Sequence, residues 1–388
     1  LPHCNMYLQS EQPVDFTELF ISDALIQNII DQTNLYADQC IQAMDDTSKH
    51  ARCHAWKPVT VSEMKTFMGL LFLTGIIHKP ELEMYWCTDD MLATPYFNKV
   101  MPRNRFEIIW RFLHFSDNTT RPDNCTDRLY KIRPVLDHLV SKFREMYQVY
   151  NPQEPIKYGV KSYILCDSDT GYCFNMKPYC GESATLGDTV VSLLDRLAGH
   201  GYRLFMDNLY NSVRLCECLL DVKTHVCGTI RKNRGEPPVI RDVRNADLRI
   251  GETIMRHNEN VMVSVCSTIH AAYTGDNVQR RAKTQNGWRT KSFPCPAPVT
   301  AYNQHMGGVD LSDQLLQYYS TQHKTMKWYR KLFLHFLDIA ATNAFIVHKE
   351  LYGTMTHKEF MEELIAELCG VHYAAHYAGL CLLRCKSQ

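Results

Sequence analysis

Residues 302–314 read YNQHMGGVDLSDQ, and the fold turns on this stretch. Gly307 and Gly308 loosen the chain, and a long amphipathic pattern follows. Asp310 and Asp313 stand three residues apart, so on a helix both carboxylates share one face. Carboxylate oxygens suit Mg²⁺, which keeps several waters and takes a few acidic groups plus substrate phosphates. A third acid comes earlier. In RLFMDNLYNS (203–212), Asp207 follows the apolar run Leu204-Phe205-Met206, the pattern of a buried strand with an acid at its exit. The plainer alternative is that Asp310 caps a helix and Asp207 opens an Asx turn. Spacing alone leaves both open.

Working outward, the hydrophobic period changes at Lys157. KSYILCD (161–167), GYCFNMKPYC (171–180), YRLFMDN (202–208) and THVCGTI (224–230) carry β-branched and aromatic residues between turn signals. Each reads as a strand. DTVVSLLDRLAG (188–199) between the second and third reads as a helix. Strands with crossing helices and acids at their ends fit an α/β, RNase H-like core. Residues 231–297 break this rhythm. IMRHNENVMVSVCSTIH (254–270) predicts two strands, and AKTQNGWRTKSFPCPAP (282–298) reads as loop. Arg280, Arg281, Lys283, Arg289 and Lys291 make that last stretch basic.

The flanks are helical, so the whole reads as α+β with an α/β core. VSEMKTFMGLLFLTGI (61–76) has apolar residues at helical spacing, with Ser62 as the expected cap. PRNRFEIIWRFLHFSD (102–117) repeats the pattern, and 129–150 forms a third helix interrupted early by Pro134. Residues 325–351 predict a long helix with Trp328, Leu332, Phe336, Ile339 and Phe345 near one stripe. Such aromatic stripes are most simply core.

Composition bounds the partners. Of 388 residues, 45% are hydrophobic and 22% charged, which supports a large core and two or three domains. Lysines and arginines equal aspartates and glutamates at 42 each, so contact with nucleic acid has to come from local patches rather than bulk charge. The longest apolar run, Met68 to Ile77, is too short to span a bilayer, and LPHCNMYLQS at the start lacks a secretory pattern. The sixteen cysteines are scattered and expected to be reduced.

Five words in order carry a family resemblance: YGVKSYILCDSDTGY (158–172), FMDNLYNS, VCGTIRKNRGEPP (226–238), YNQHMGGVDLSDQ and MKWYRKLFLHFLDIAATNAF (326–345). Together they resemble the piggyBac family of cut-and-paste DNA transposases and the genes domesticated from them, from about Phe16 to about Gly370. The resemblance implies an RNase H-like core at 151–230, an insertion at 231–297 and a core return with the final acidic helix at 298–318. It also implies a helical dimerisation and DNA-binding domain in two halves, 14–150 and 319–370, before a tail at 371–388.

In such enzymes three carboxylates hold two Mg²⁺ ions that activate the nucleophile and stabilise the leaving oxygen. The resemblance assigns Asp207 as the second acid, Asp310 as the third, both metal ligands, and Asp313 as a supporting acid. The first acid belongs to an Ile-Asp-Glu word on the opening core strand. Here SKFREMYQVYNPQEPIKYG (141–159) runs from the helix straight into what should be the second strand. The opening strand is therefore expected to be missing, with Asp167 only a weak substitute. A second shortening is expected at VSVCSTIH (263–270). Arg231, Lys232 and Arg234, and Lys324, Lys327, Arg330 and Lys331, are the candidate phosphate contacts, with an ordinary solvated face as the alternative. His372 and His376, and Cys381 and Cys385, lack the spacing of the family's zinc module, so no zinc is expected.

The expectation is a nuclear, transposase-derived DNA-binding protein and homodimer, catalytically impaired, with Mg²⁺ as cofactor only if active. The alternative is an active transposase, acting on transposon ends and TTAA sites, whose first aspartate lies outside this sequence.

Overall fold

The computed structural model describes residues 11–43, 55–146, 162–179, 185–231, 234–235, 255–258, 261–270, 275–284, 287–323, 325 and 327–370. The chain divides into two compact units, one holding Met146–Gln314 and the other Asn5–Glu145 with Leu315–Gln388.

The helical unit contains α1 (Pro13–Glu18), α2 (Asp23–Gln42), α3 (Val61–Ile76), α4 (Pro95–Val100), α5 (Arg103–Phe112) and α6 (Arg133–Met146). Two cap details differ from the sequence reading. Thr60, not Ser62, caps α3 by accepting the Glu63 amide. Pro134 lies in the first turn of α6 rather than interrupting a longer helix, because a proline there gives up an amide that has no helical partner.

The other unit carries β1 (Ser162–Cys166), β2 (Cys173–Pro178), α7 (Leu186–Leu194), β3 (Arg203–Met206), α8 (Val213–Asp221) and β4 (His225–Ile230). Then come β5 (Met255–Asn258), β6 (Val261–Ser267), β7 (Asn277–Thr284), β8 (Gly287–Pro294), α9 (Ala297–His305) and α10 (Gly308–Tyr318). The four core strands and the β5–β6 pair stand where the periodicity put them. The loop expected at 282–298 is instead mostly the second half of a hairpin, β7 paired antiparallel with β8 from Asn277↔Pro294 to Thr284↔Gly287. Its strands are polar on both faces, so no alternation announced them.

Among the described residues the strands make three separate sheets: β1–β2, β3–β4–β6–β5, and β7–β8. β3 and β4 are parallel, the other ladders antiparallel. β1 and β3 face each other without a shared ladder, across an apolar cleft of about 20 Å³ lined by residues such as Leu165, Leu204 and Met206.

The helical unit closes with α11 (Trp328–Leu351) and α12 (His357–Leu368). α11 is buried on nearly every face, with Phe333, Leu334, Ala340 and Val347 interior alongside the expected Leu332 and Phe336. Trp328 of the expected stripe is exposed. A helix apolar all round is a core helix rather than an amphipathic one. Both halves of the chain build this core: Phe16 packs edge-on against His348 at 5.0 Å, and Phe115 lies 4.6 Å from Phe333. Among the described residues no helix is long and apolar enough to cross a membrane.

Candidate functional site

The acids sit on three pieces of the mixed unit. β3 is short and buried after Arg203, and Asp207 follows its last residue. The chain turns there: the Asp207 carbonyl accepts the amides of Tyr210 (3.2 Å) and Asn211 (3.1 Å), and the Asp207 carboxylate accepts the Asn208 amide. Asp207 thus stands at a strand exit and also builds the turn.

Two of the candidate basic residues hold this turn. Arg231 Nε donates to Asn208 Oδ1 at 2.6 Å, and Arg234 Nη2 donates to the Leu209 carbonyl at 3.1 Å. Arg231 remains exposed and lies beside the acid-bearing turn. Lys232 is outside the described residues. Below the turn, buried Asn211 donates to the Thr229 carbonyl at 3.1 Å and accepts the Cys216 thiol at 3.1 Å. Asn211 fixes β3 to β4, a role its place in NLYNS did not announce.

Asp310 and Asp313 lie on α10, as the spacing predicted. The helix starts at Gly308, so Asp310 falls in its first turn, where the helix dipole favours a negative charge. Asp310 is exposed and Asp313 half-buried. Burial, and then the like charge of Asp310, push the Asp313 carboxyl up to about 6. The preceding Ser312 hydroxyl bonds the buried Cys166 thiol at the end of β1.

Asp167 follows β1 and is 7% exposed. Its Oδ1 accepts the Asp169 amide (3.1 Å), the Thr170 amide (2.8 Å) and the Thr170 hydroxyl (2.8 Å). These bonds close the β1–β2 turn. His305 is a contributor that the sequence reading missed. At the end of α9, its Nδ1 lies 3.4 Å from Ser168 Oγ and 3.8 Å from Asp169 Oδ1, and its ring stands 5.0 Å from that of Phe205. His305 therefore links the β1–β2 turn to β3. Its only sequence signal was membership of the opening motif.

Mg²⁺ is the ion the chemistry would ask for, and the donor set can be tested against it. Among the described residues no three His, Cys, Asp or Glu side chains come together as a metal site, so Asp207, Asp310 and Asp313 do not form one. Among the described residues these acids do not assemble the donor set of a two-ion centre.

The second basic group needs correction. Arg330 is 6% exposed, donates to the Arg111 carbonyl at 2.6 Å and lies 5.0 Å over the Trp110 ring. It is a piece of the helical core, where an external phosphate does not reach it. Lys327 donates to the same carbonyl at 3.3 Å and lies 5.4 Å over Tyr36. Burial and then Arg330 bring its ammonium down to about 8. Lys331 is exposed, and Lys324 lies outside the described residues, as do His372, His376, Cys381 and Cys385.

The family described as Transposase IS4 matches residues 12–149 and 146–345 of this chain. The human PiggyBac transposable element-derived protein 2 is 26% identical over 395 residues, covering 90% of this chain and 63% of the human protein. The human PiggyBac transposable element-derived protein 5 is 23% identical over 420 residues, covering 94% of this chain and 77% of its own length. The chain thus spans 63% of the first of these relatives. A solved structure, the cryo-EM piggyBac transposase synaptic complex with hairpin DNA, matches with a TM-score of 0.74 at 23% identity, over 93% of this chain and 80% of that one. The likeness is one of fold, a mixed α/β architecture.

Proposed function

Because the chain belongs to the piggyBac transposable element-derived family and carries an IS4-type DDE transposase domain, we propose that it is a DNA-binding descendant of a cut-and-paste transposase whose cleavage site is incomplete. The observation that carries this reading is the break between β1 and β3. In an RNase H-like core the opening strand is central and brings the first metal-holding aspartate. Here β1–β2 and β3–β4 form separate sheets among the described residues, and the acids that remain do not gather into a metal site.

The loss is chemical as well as structural. Positioning of the nucleophile and stabilisation of developing charge are most of what a phosphodiester-cleaving site supplies. With two of three ligands, Asp207 and Asp310, an ion is held weakly and the attacking oxygen is misplaced. Asp313, with its carboxyl pushed up to about 6, is mostly ionised at neutral pH and supplies little charge below about pH 6. What this chain retains is a folded scaffold with local basic patches. Its place is the nucleus, its partner is DNA at transposon-end or TTAA-like sites, and its assembly is a homodimer.

The test is direct. Purified protein with transposon-end duplex and Mg²⁺ or Mn²⁺ is expected to bind the DNA and leave both strands intact. Strand nicking that disappears in Asp310→Ala would overturn the reading. So would an in-frame exon between the codons of Tyr147 and Tyr150 that encodes an Ile-Asp-Glu word, which would favour an active transposase.

A further inference from the structure

The β7–β8 hairpin is built unlike the rest of its unit. Every described side chain of β8 is exposed, and so are those of β7 except the half-buried Val278 and Ala282. A two-stranded ribbon without a covered face is marginally stable in water. Residues 277–294, NVQRRAKTQNGWRTKSFP, contain five cations and no acid, in a chain whose total charge is zero. None of the five is in an ion pair with a carboxylate among the described residues.

The register sorts these cations by face. Arg280 stands directly opposite Lys291, and Arg289 lies opposite Ala282, two residues along on the same side. Phe293, paired with Val278, completes that face. The other face carries Arg281, Lys283 and the exposed Trp288, with Trp288 opposite Lys283. Like charges directly opposed across a ladder destabilise it. The arrangement therefore costs the free protein stability, and a bound polyanion would offset that cost.

From this geometry we infer that the β7–β8 hairpin is a groove-reading element that lays its Arg280–Arg289–Lys291 face into the major groove of duplex DNA. Strands about 4.8 Å apart make a ribbon that fits a groove about 12 Å wide, an established mode of entry for two-stranded β-ribbons. The choice of DNA over a second copy of the chain follows from charge, since two such hairpins repel. The inference rests on the DNA-binding reading above and adds which element touches the duplex and with which face.

The experiment uses the full chain, a fluorescently labelled duplex and anisotropy titrations over a range of salt. The parent's log affinity is expected to fall linearly with log salt. The triple variant Arg280→Ala/Arg289→Ala/Lys291→Ala is expected to bind at least about tenfold more weakly, with a slope shallower by about 2–3, at roughly 0.9 for each phosphate no longer neutralised. Arg281→Ala/Lys283→Ala should change the slope by less than about 1. All five positions are exposed, so circular dichroism should match the parent. If the parent binds and the triple variant keeps its slope and affinity, this inference fails while the DNA-binding reading stands. A larger loss from the Arg281/Lys283 pair would also overturn the assigned face. If the parent binds no duplex at any salt, both fail together.

Discussion

The two units of this chain meet the same demand, burying a core, with opposite success. In the helical unit the long helix α11 is enclosed on nearly every side, and the first and last thirds of the chain interleave around it. Even its polar groups are locked in: buried Asp338 accepts the Thr321 amide at 3.1 Å and the Thr321 hydroxyl at 2.8 Å. In the mixed unit the described strands lie in three sheets, and the described acids form no metal-holding group. The difference teaches where function survives. A catalytic centre of the kind proposed above needs three side chains placed by three elements, so a missing strand would remove it. A binding framework tolerates local loss as long as its core closes.

The largest expected effect comes from one substitution made in both units. A Cβ on Gly75, near the end of α3, would collide with the Tyr319 carbonyl oxygen, and one on Gly228 in β4 would collide with the carbonyl oxygen of Met206, its ladder partner. Gly75→Ala forces two packed segments of a closed core apart and is expected to cost about 3 kcal/mol, read from urea unfolding by tryptophan emission. Gly228→Ala pushes against β3, which among the described residues is an edge strand of its sheet and can shift outward. It should cost about 1–2 kcal/mol and show as faster hydrogen exchange in β3 and β4 and a displaced Asp207 turn. Equal costs in one shared transition would mean that the two units unfold as one.

The next effect compares two raised carboxyls. Burial takes Asp338 up to about 7, despite the Thr321 and Ser320 bonds that favour its charge. Asp313 rises to about 6 through burial and Asp310. In both, the folded state holds the proton more tightly than the unfolded state. Stability is therefore full below about pH 4 and falls as pH climbs through the folded-state value. For Asp338 the ceiling on this loss is about 4 kcal/mol at about 1.4 kcal/mol per pH unit, and relaxation in an interior of higher effective dielectric brings the expected loss to about 2 kcal/mol. Asp338→Asn should flatten the dependence of the urea midpoint between pH 4 and pH 7. An unchanged pH profile would show that Asp338 is not the buried proton store. In the mixed unit, Asp310→Asn should let Asp313 ionise at lower pH, followed by carboxyl NMR.

Most of the scaffold was legible because its signals are local. Alternation and apolar runs gave β1 to β6, and helical spacing gave α3, α5 and the shared face of Asp310 and Asp313. What stayed hidden depends on distant segments. Arg330 reads as a surface cation because its spacing is that of a solvated face. The carbonyl and ring that bury it belong to Arg111 and Trp110, more than two hundred residues away in sequence. His305 gained its role only when β3 and the β1–β2 turn came alongside it. The β7–β8 hairpin escaped because a ribbon exposed on both faces has no apolar period to detect, although Asn286-Gly287 is a hairpin turn signal.

The smallest effect is the cleanest probe of the contrast between units, because the same local device occurs once in each. Thr185 and Asp188 form a capping box at the start of α7, with amide-to-side-chain distances of 3.1 Å in both directions. Thr356 and Glu359 form another at the start of α12, at 2.8 and 3.3 Å. Either threonine changed to alanine orphans one helix-end amide and should cost about 1 kcal/mol. The cost should surface in different places. α12 buries Phe360, Leu364 and Ile365 in the closed helical core, so Thr356→Ala should lower the cooperative unfolding midpoint of that unit. α7 packs Val190, Leu193 and Leu194 against the smaller β1–β2 sheet, so Thr185→Ala should instead raise hydrogen exchange across Leu186–Leu194 and leave the helical transition in place. Should Thr185→Ala move the helical midpoint as far as Thr356→Ala does, the mixed unit would be transmitting its stability to its neighbour, and the idea that a damaged core can decay beside an intact binding framework would fail.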